Sequence, residues 1–562
     1  MFLKKTLLKR KNKTYVNYQI IEAYRAEGKS RQRVVANLGD ICRLDREGWR
    51  RLARRLAGEP VEETELFSSE KRHTAEIRLK EVRWENPRDF GDVAAALHVW
   101  RLLGLEEVLS HHLPRGKMKI IPSEVVAILS INRLCRPLSE HALSRWYRRT
   151  ALPELLGISA DKIDDDRLYR CLDRLVGAKE AIEREMAERA RIVFDLEYDL
   201  LLYDLTSTYF EGLSLRNEKA KRGYSRDSRS DCPQVCIALA VTKEGFPVAH
   251  EVIDGNVKDH ATLGGLLDPL ERRLGKAKRI LIMDRGISTK DNIEVLKTRG
   301  YEYVVALRRS ELKGFEAEII AEPWERIREF LEVQRHEREG ETVVICRSEG
   351  RRLKEEAIRS RFEEKMQSDL ARLAKSISSG RVKHEEVIQR RIGRIMERYP
   401  QVARLYEVRY EKGKLTWSRR ESFIDEQKGL YLLRTNVTSL STEQIWETYI
   451  KLTEAEAAFR AMKSDLLIRP VFHQLSQRVE AHIFVCIIAY LLWKSLERLH
   501  RNRGGKLTAR AILAELHEHK LADIVLPTVK GPEIRLRQTS QPTKEQQEIY
   551  MTLKYQPPKR FT

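Results

Sequence analysis

The chain has 562 residues, 42% of them hydrophobic, 34% charged and 7% aromatic, and its 105 Lys plus Arg against 84 Asp plus Glu give a formal charge of +21. Such a length implies about three to five structural units, and there is enough apolar material for packed cores beneath a highly charged surface, which excludes a minimal binding module and wholesale disorder. The positive excess attracts polyanions by its summed field and by counterion release, so nucleic acid is the leading expected partner.

Seven cysteines are scattered from Cys42 to Cys486, unlike the dense framework of a secreted disulfide scaffold, and they fit a reducing compartment. Cys232 and Cys236 have ligand-like spacing, but no second Cys/His pair accompanies them and their segment reads as a strand, so zinc is not expected. The longest apolar run, 483–493, falls short of the roughly 20 residues of a membrane span. The N-terminal MFLKKTLLKRKNK lacks the apolar stretch and cleavage site of a signal peptide. A cytoplasmic protein without membrane association is expected.

Residues 1–60 read as a basic appendage in which TYVNYQII and RQRVVANLG are short strands meeting across EGKS. Over 61–195 the period becomes helical: FGDVAAALHVWRLLGL, SEVVAILSINRL, SEHALSRWYRR and DDRLYRCLDRL place apolar residues three and four apart. Ser139 and Asp166 are expected N-caps, and the arginine-bearing polar faces suit a helical DNA-binding domain. The section 196–309 is α/β. Strands are predicted at 200–210, 234–242 and 247–253, the last two joined by the turn KEGF; a helix at 260–274, a strand at 279–283, a helix at 290–299 and a strand at 301–307 complete the order βββαβαβ. An inserted subdomain is expected over 310–428, with the core resuming at 429–478 through the strand GLYLLR and a helix over 442–463 capped by Ser441. The C-terminal region 479–562 opens with a strongly apolar helix at 479–500, which suits either dimerisation or burial in the core.

Three acids lie where core elements can aim them at one point. Asp204 interrupts an apolar strand and faces away from Tyr203 and Leu205. Asp284 ends the strand RILIMD, at the strand edge where α/β sheets place ligands, and a carboxylate buried there without a partner costs several kcal/mol. Glu456 shares a helix face with Tyr449 and Lys463, each seven residues away, and with Arg460 one turn on. Separated carboxylates of this kind suit two Mg2+ ions, with Mn2+ as an alternative, that clamp the attacking and leaving oxygens of a phosphoryl transfer. Asp227, Asp231, Asp254 and Asp259 lie in polar loops, where capping and turn formation account for them; His260 and His482 are weaker candidates for a general base.

The order βββαβαβ, an insertion and then a helix, with Asp204 on the first strand, Asp284 after the fourth and Glu456 on that helix, resembles the RNase H-like catalytic core of DDE transposases. More narrowly, YIKLTEAEAAFRAMK is similar to the Tyr, Arg, Glu, Lys signature of the insertion sequence 4 group, Y-x2-R-x3-E-x6-K, in its longer members with a large insertion. Tyr449, Glu456 and Lys463 match, whereas Leu452 stands where the arginine belongs and Arg460 lies on the same face. YDLTSTYFEG, GYSRDSR, DGNVKDHAT, MDRGI and IRPVFHQLSQRVEAHIFV share the group's character.

The resemblance implies a bacterial or archaeal mobile-element transposase that binds terminal inverted repeats, cuts to free a 3′ hydroxyl and transfers it by transesterification, acting as a homodimer. It implies that Asp204, Asp284 and Glu456 hold the metals and that Arg285, Tyr449, Arg460 and Lys463 contact double-stranded DNA. Because the insertion in such enzymes helps hold hairpinned or flipped ends, Trp417 is either a base-stacking residue or, the more expected of the two, a core or surface tryptophan. Two rivals are weighed. A phosphatase of the haloacid dehalogenase type also places an Asp after an apolar strand, but the KEGF hairpin makes the early strands antiparallel. A transposase-derived DNA-binding protein that does not cut is opposed by the intact acid trio.

Overall fold

The computed structural model describes residues 2–10, 13–26, 29–39, 75–116, 119–257, 263–275, 279–338, 340–420 and 428–561. Asp259, His260 and Cys42 lie outside the described residues. The chain divides into two compact units, 1–83 with 525–535, and 84–524 with 536–562.

In the first unit Phe2–Arg10, Lys13–Ala26 and Lys29–Gly39 form an antiparallel three-stranded sheet. The strands are longer than the alternation alone delimits, and the second and third stay paired through two register shifts, at Tyr18/Gln19 and Ile20/Ile21, because a bulge absorbs an extra residue without ending the ladder.

The second unit is built on a large mixed sheet. Its strands, numbered here in chain order, are β1 (Leu200–Tyr209), β2 (Gln234–Thr242), β3 (Pro247–Asp254), β4 (Ile280–Met283), β5 (Glu302–Ala306), β6 (Glu325–Arg328), β7 (Leu331–Arg338), β8 (Glu341–Ser348) and β9 (Leu430–Thr435). They lie in the order β6-β7-β8-β9-β5-β4-β1-β2-β3. β1, β2 and β3 form the expected antiparallel meander, and β1, β4 and β5 run parallel, joined through the helices Leu263–Leu274 and Lys290–Thr298. The predicted order βββαβαβ is therefore observed, with element ends within about three residues of those expected.

Alternation along β1 sorts its residues between two cores. Leu200 and Leu202 join one cluster with the helical elements, whereas Leu201, Tyr203 and Leu205 join another with the helices on the far face. Asp204 belongs to the first face, and it is the only residue from Leu200 to Thr208 that is not fully buried, so the strand opens to a cleft at that point.

The segment 310–428 is not wholly separate from the sheet. β6, β7 and β8 extend it, β8 pairing with β9 and β9 with β5. The helices Glu349–Ser378, Glu385–Arg398 and Pro400–Ala403 and the hairpin of Tyr406–Glu411 with Lys414–Arg419 build a core of their own, around Met366, Leu370, Ile388 and Leu405. Trp417 packs half-buried against this small core, a position that packing alone explains.

Ser139 caps the helix Glu140–Tyr147 by accepting from the Ala142 N–H. At the next cap the expectation fails: Asp164, not Asp166, accepts from the Arg167 N–H at 2.8 Å, and Asp166 falls inside the first turn. In a run of three aspartates the cap is the one whose backbone is still extended, which composition does not reveal. The late helix is also two, α1 (Thr442–Ile450), with the Ser441/Gln444 capping box, and α2 (Leu452–Ser464), meeting at Lys451.

The apolar helix is α3 (Ser476–Arg501). It is long and apolar enough to cross a membrane, yet 94% of its most apolar window is buried inside the chain. Val479, Ile483, Phe484, Ile487 and Leu491 share one cluster with Val126, Leu168 and Leu202. Of the two roles expected for it, burial in the core is the one its side chains fill.

The loop 213–233 is fixed by close backbone packing. A Cβ on Gly255 would sit 1.9 Å from the Gln234 carbonyl oxygen, while the Gln234 amide donates to the Gly255 carbonyl at 2.8 Å and the Lys221 N–H to the Gln234 carbonyl at 3.0 Å. Backbone cannot yield as a flexible side chain would. Gly255→Ala is expected to cost about 3 kcal/mol, read as a lowered denaturation midpoint; a midpoint equal to that of the unaltered chain would refute the close approach.

Candidate active site

β1 brings Asp204 to the centre of the sheet and parallel β4 ends at Met283 beside Tyr203, so Asp284 emerges one strand away. α2 packs its Leu452, Ala455, Ala458, Phe459 and Met462 into the cluster that holds Leu200 and Leu202. That face points Glu456 outward, exposed, above the Asp204 side of the sheet. Asp284 and Glu456 line one cavity of about 560 Å³ with Arg285, Arg309, Arg351, Lys354, Tyr431 and Tyr449.

The electrostatics join Asp204 to the pair. Burial pushes its carboxyl up to about 7, the charges of Asp284 and Glu456 push in the same direction, and the Leu205 N–H, which donates to Asp204 Oδ1 at 2.7 Å, and Arg226 oppose them. The charges of Asp284 and Glu456 thus both reach Asp204, although more than 70 residues separate each acid from the next. Burial also raises the Tyr449 phenol, helped by Asp284 and Glu456 and opposed by Arg351 and Arg285. The phenol stays protonated at neutral pH and remains a hydrogen-bond donor.

The remaining expected residues divide. Arg285 and Tyr449 line the cavity, Arg285 exposed and Tyr449 half-buried. Arg460 is exposed one turn beyond Glu456 and is not among the residues lining that cavity. Lys463 is tied to Asp227, its Nζ donating at 2.8 Å. Leu452 is buried in the core, so the position where the signature has arginine does not face the cleft at all.

Arg351, Arg309 and Lys354 were missed by the sequence reading. Arg351 stands 4.8 Å above the Tyr431 ring, whose ring lies 6.3 Å from that of Tyr449. Arg351 and Lys354 come from the charged stretch after β8, where every third residue or so is basic and no spacing marks the ones that turn inward, and Arg309 follows β5 in a short polar turn.

The loop acids are spent elsewhere. Asp254 pairs with Lys221 at 2.6 Å and Asp231 with Arg229 at 3.0 Å. His482 is buried with both ring nitrogens engaged, Nδ1 3.5 Å from the Arg133 guanidinium and Nε2 3.4 Å from the Ile468 carbonyl. Burial and the Arg133 charge hold it far below the usual imidazole range, which removes it as a general base for this cleft. It groups with Glu140 and His473. Burial would raise Glu140, but the hydrogen bond from His473 at 3.2 Å and the imidazole charges hold it at about 2.

The acid trio fits divalent cations. Asp284 and Glu456 line the cavity and Asp204 feels the charge of both, although among the described residues the three do not gather their oxygens within 4.8 Å as Glu140, His473 and His482 do. Burial, and in lesser part the other two acids, keeps Asp204 from ionising below neutrality, and a bound cation relieves that repulsion.

Residues 195–492 match the family described as Transposase DDE domain, and residues 3–65 match the IS1634 family transposase N-terminal domain. The second match departs from the insertion sequence 4 group that the Tyr, Glu and Lys spacing resembles. Among solved structures, the chain is 10% identical to one described as the piggyBac transposase synaptic complex with hairpin DNA, over 75% of this chain and 79% of that one, with a TM-score of 0.38. It is 11% identical to the Mos1 transposase paired-end complex with left transposon end, over 33% and 58%, with a TM-score of 0.14. No curated protein matches the chain.

Proposed function

We propose, for a chain that belongs to the DDE transposase family, that Asp204, Asp284 and Glu456 are its catalytic and metal-holding acids and that the sheet around them is an RNase H-like core. The protein is a transposase that acts on DNA by the DDE mechanism, cleaving and transferring strands, and enzymes of this family use divalent metal ions. The observation that carries the residue assignment is that Asp284 and Glu456 line one cavity with Arg285, Arg309, Arg351, Lys354 and Glu355, and that the charges of both acids reach Asp204 on the neighbouring strand.

Mg2+, or Mn2+ in its place, is the ion we assign, because the donors are carboxylate oxygens alone. Bound there, such ions supply the charge stabilisation that a phosphodiester displacement needs. The chain's own groups do the rest. Arg285, Arg309, Arg351 and Lys354 set four cations against Asp284, Glu355 and Glu456 in the cavity, with Arg309 and Arg351 pairing with Glu355 at 3.4 and 3.2 Å, and hold DNA phosphates beside the acids, while protonated Tyr449 donates a hydrogen bond to one of them. The DNA is the terminal inverted repeat of a mobile element and then its target, and two copies of the chain pair two ends. Arg460 contacts the same backbone farther out. The catalytic helix keeps the Tyr, Glu and Lys of the insertion sequence 4 signature as shared chemistry rather than as membership of that group.

The test is incubation of a duplex carrying the element's terminal repeat with the purified chain and Mg2+. Cut strands with new 3′ hydroxyls are expected, and a shifted but uncut duplex would leave only a binding protein. End binding is expected to weaken steeply as salt rises, with a log–log slope of roughly −0.9 per phosphate contacted; a flat salt dependence would remove the backbone contacts proposed here.

A further inference from the structure

Lys463 is the last basic residue of α2, and its ammonium meets a carboxylate instead of open solvent. Asp227 Oδ1 accepts from Lys463 Nζ at 2.8 Å and also pairs with the Arg469 guanidinium. The Asp227 side chain is 3% exposed, Lys463 14% and Arg469 30%. The acid therefore lies at the bottom and the cations above it, in increasing order of exposure. The other oxygen, Asp227 Oδ2, is buried with no hydrogen-bond partner.

This cluster is anchored to the catalytic strand. The Arg226 N–H donates to Ser207 Oγ at 3.4 Å, and the N–H groups of Asp227 and Arg229 donate to Ser225 Oγ at 3.3 and 3.1 Å. From the other side, Thr208 Oγ1 donates to the Ile468 carbonyl at 3.1 Å, and Val471 exchanges backbone hydrogen bonds with Tyr209 and Glu211 at 2.9 and 3.0 Å. Both loops are thus tied to β1 a few residues beyond Asp204. Arg226 acts electrostatically on Asp204 and on Lys463 alike, which places all these groups in one electrostatic neighbourhood.

Charge balance then asks for an anion. One buried carboxylate faces both Lys463 and Arg469, so these three groups alone leave one positive charge, on the outer side. A carboxylate that merely stood in for a ligand would lie on the outside, where a ligand arrives. Asp227 lies beneath instead, as a support that fixes two long, flexible cationic side chains whose immobilisation otherwise costs about 2 kcal/mol each in rotamer entropy.

We propose that Asp227 is a positioning residue for strand cleavage, and that Lys463 and Arg469, held by it, form a seat for a DNA backbone phosphate adjoining the one attacked at Asp204, Asp284 and Glu456. This rests on the reading of those three acids as the catalytic centre, and adds to it Arg469 and Asp227. Arg469 contacts the phosphate directly, while Asp227 acts through Lys463 and Arg469 and does not touch DNA.

The experiment compares the unaltered chain, Asp227→Asn, Asp227→Glu, Arg469→Gln and Glu456→Gln on a terminal-repeat duplex. Binding is measured as a function of salt, and cleavage as a single-turnover rate at saturating DNA. Asp227→Asn is expected to bind within about threefold of the unaltered chain but to cut 10- to 100-fold more slowly, with Asp227→Glu recovering part of the rate. Arg469→Gln is expected to reduce the salt slope by about 0.9 and to slow cleavage to a similar extent. Cleavage by Asp227→Asn at the unaltered rate, or faster as a released plug would give, overturns the positioning role. An unchanged slope and rate in Arg469→Gln overturn the phosphate seat. Should Asp227→Asn fail to fold, Arg469→Gln decides alone, since Arg469 is partly exposed. Rapid cutting by Glu456→Gln, with the Asp227 and Arg469 variants impaired, would instead remove the trio and leave the seat standing.

Discussion

Asp204→Asn is expected to abolish DNA cleavage, by about a thousandfold or more, while leaving end binding nearly intact and making the metal-free protein more stable above neutral pH. The catalytic loss follows from removing one of the three oxygen donors: charge stabilisation at a transferring phosphoryl group is worth several kcal/mol, and each 1.36 kcal/mol is tenfold in rate. Binding survives because Arg285, Arg309, Arg351 and Lys354 line the cavity of Asp284 and Glu456, which Asp204 does not itself line.

The stability gain has a definite sign. Burial, with Asp284 and Glu456, raises the Asp204 carboxyl to about 7 from an ordinary 3.8. A folded-state value above the unfolded one gives stability that is complete below the unfolded value and lost as pH rises through the folded value, so the loss runs from about pH 4 to about pH 8. At 1.36 kcal/mol per unit it amounts to on the order of 4 kcal/mol. Asparagine carries no charge to repel, and its melting temperature is expected to fall less between pH 6 and pH 8 than that of the unaltered chain. Mg2+ is expected to raise the melting temperature of the unaltered chain more at pH 8 than at pH 6, and that of Asp204→Asn little at either. An equal Mg2+ shift in both proteins would show that the ion binds elsewhere.

Glu183→Ala is expected to cost about 3–5 kcal/mol of stability, the loss that follows when a buried charge is deprived of its partner. Glu183 lies in the helix Lys179–Phe194 and is 3% exposed, and it faces His250 on β3 and Arg273 in the helix Leu263–Leu274, which are 0% and 1% exposed. The Arg273 guanidinium pairs with Glu183 at 2.8 Å and with Glu251 at 2.8 Å, while Lys179 reaches Glu251 at 3.3 Å. Burial works against the ionised form of Glu183, but the charges of His250, Lys179 and Arg273 prevail and hold its carboxyl below the ordinary range. Without it, Arg273 keeps one partner for a guanidinium that already has two buried nitrogens unpaired, and the pairing of Lys179 with Glu251 is left as the polar tie of this helix to β3. The measurement is a denaturant midpoint at constant slope; a change below 1 kcal/mol would show that Glu251 alone neutralises the cluster.

The three acids proposed as catalytic were legible because each stands against its surroundings. Asp204 breaks an apolar strand, Asp284 closes one, and Glu456 keeps helical register with Tyr449 and Lys463. The same local logic misjudged Asp166, since three successive aspartates compete for one cap and only the backbone of Asp164 is extended there. It also could not weigh Lys463, whose partner Asp227 is 236 residues away.

What the sequence alone determined was the series of strands and helices from Leu200 to Ala306 and the positions of the three acids, because alternation and helical period are properties of neighbours along the chain. Only the tertiary structure decided that β6 to β8 extend the sheet, that α3 is consumed by the interior, that Leu452 is core, and that Arg351 and Arg309 rim the cavity. Those outcomes turn on which distant surfaces exclude water together and which charges then find a partner, and no local period encodes either.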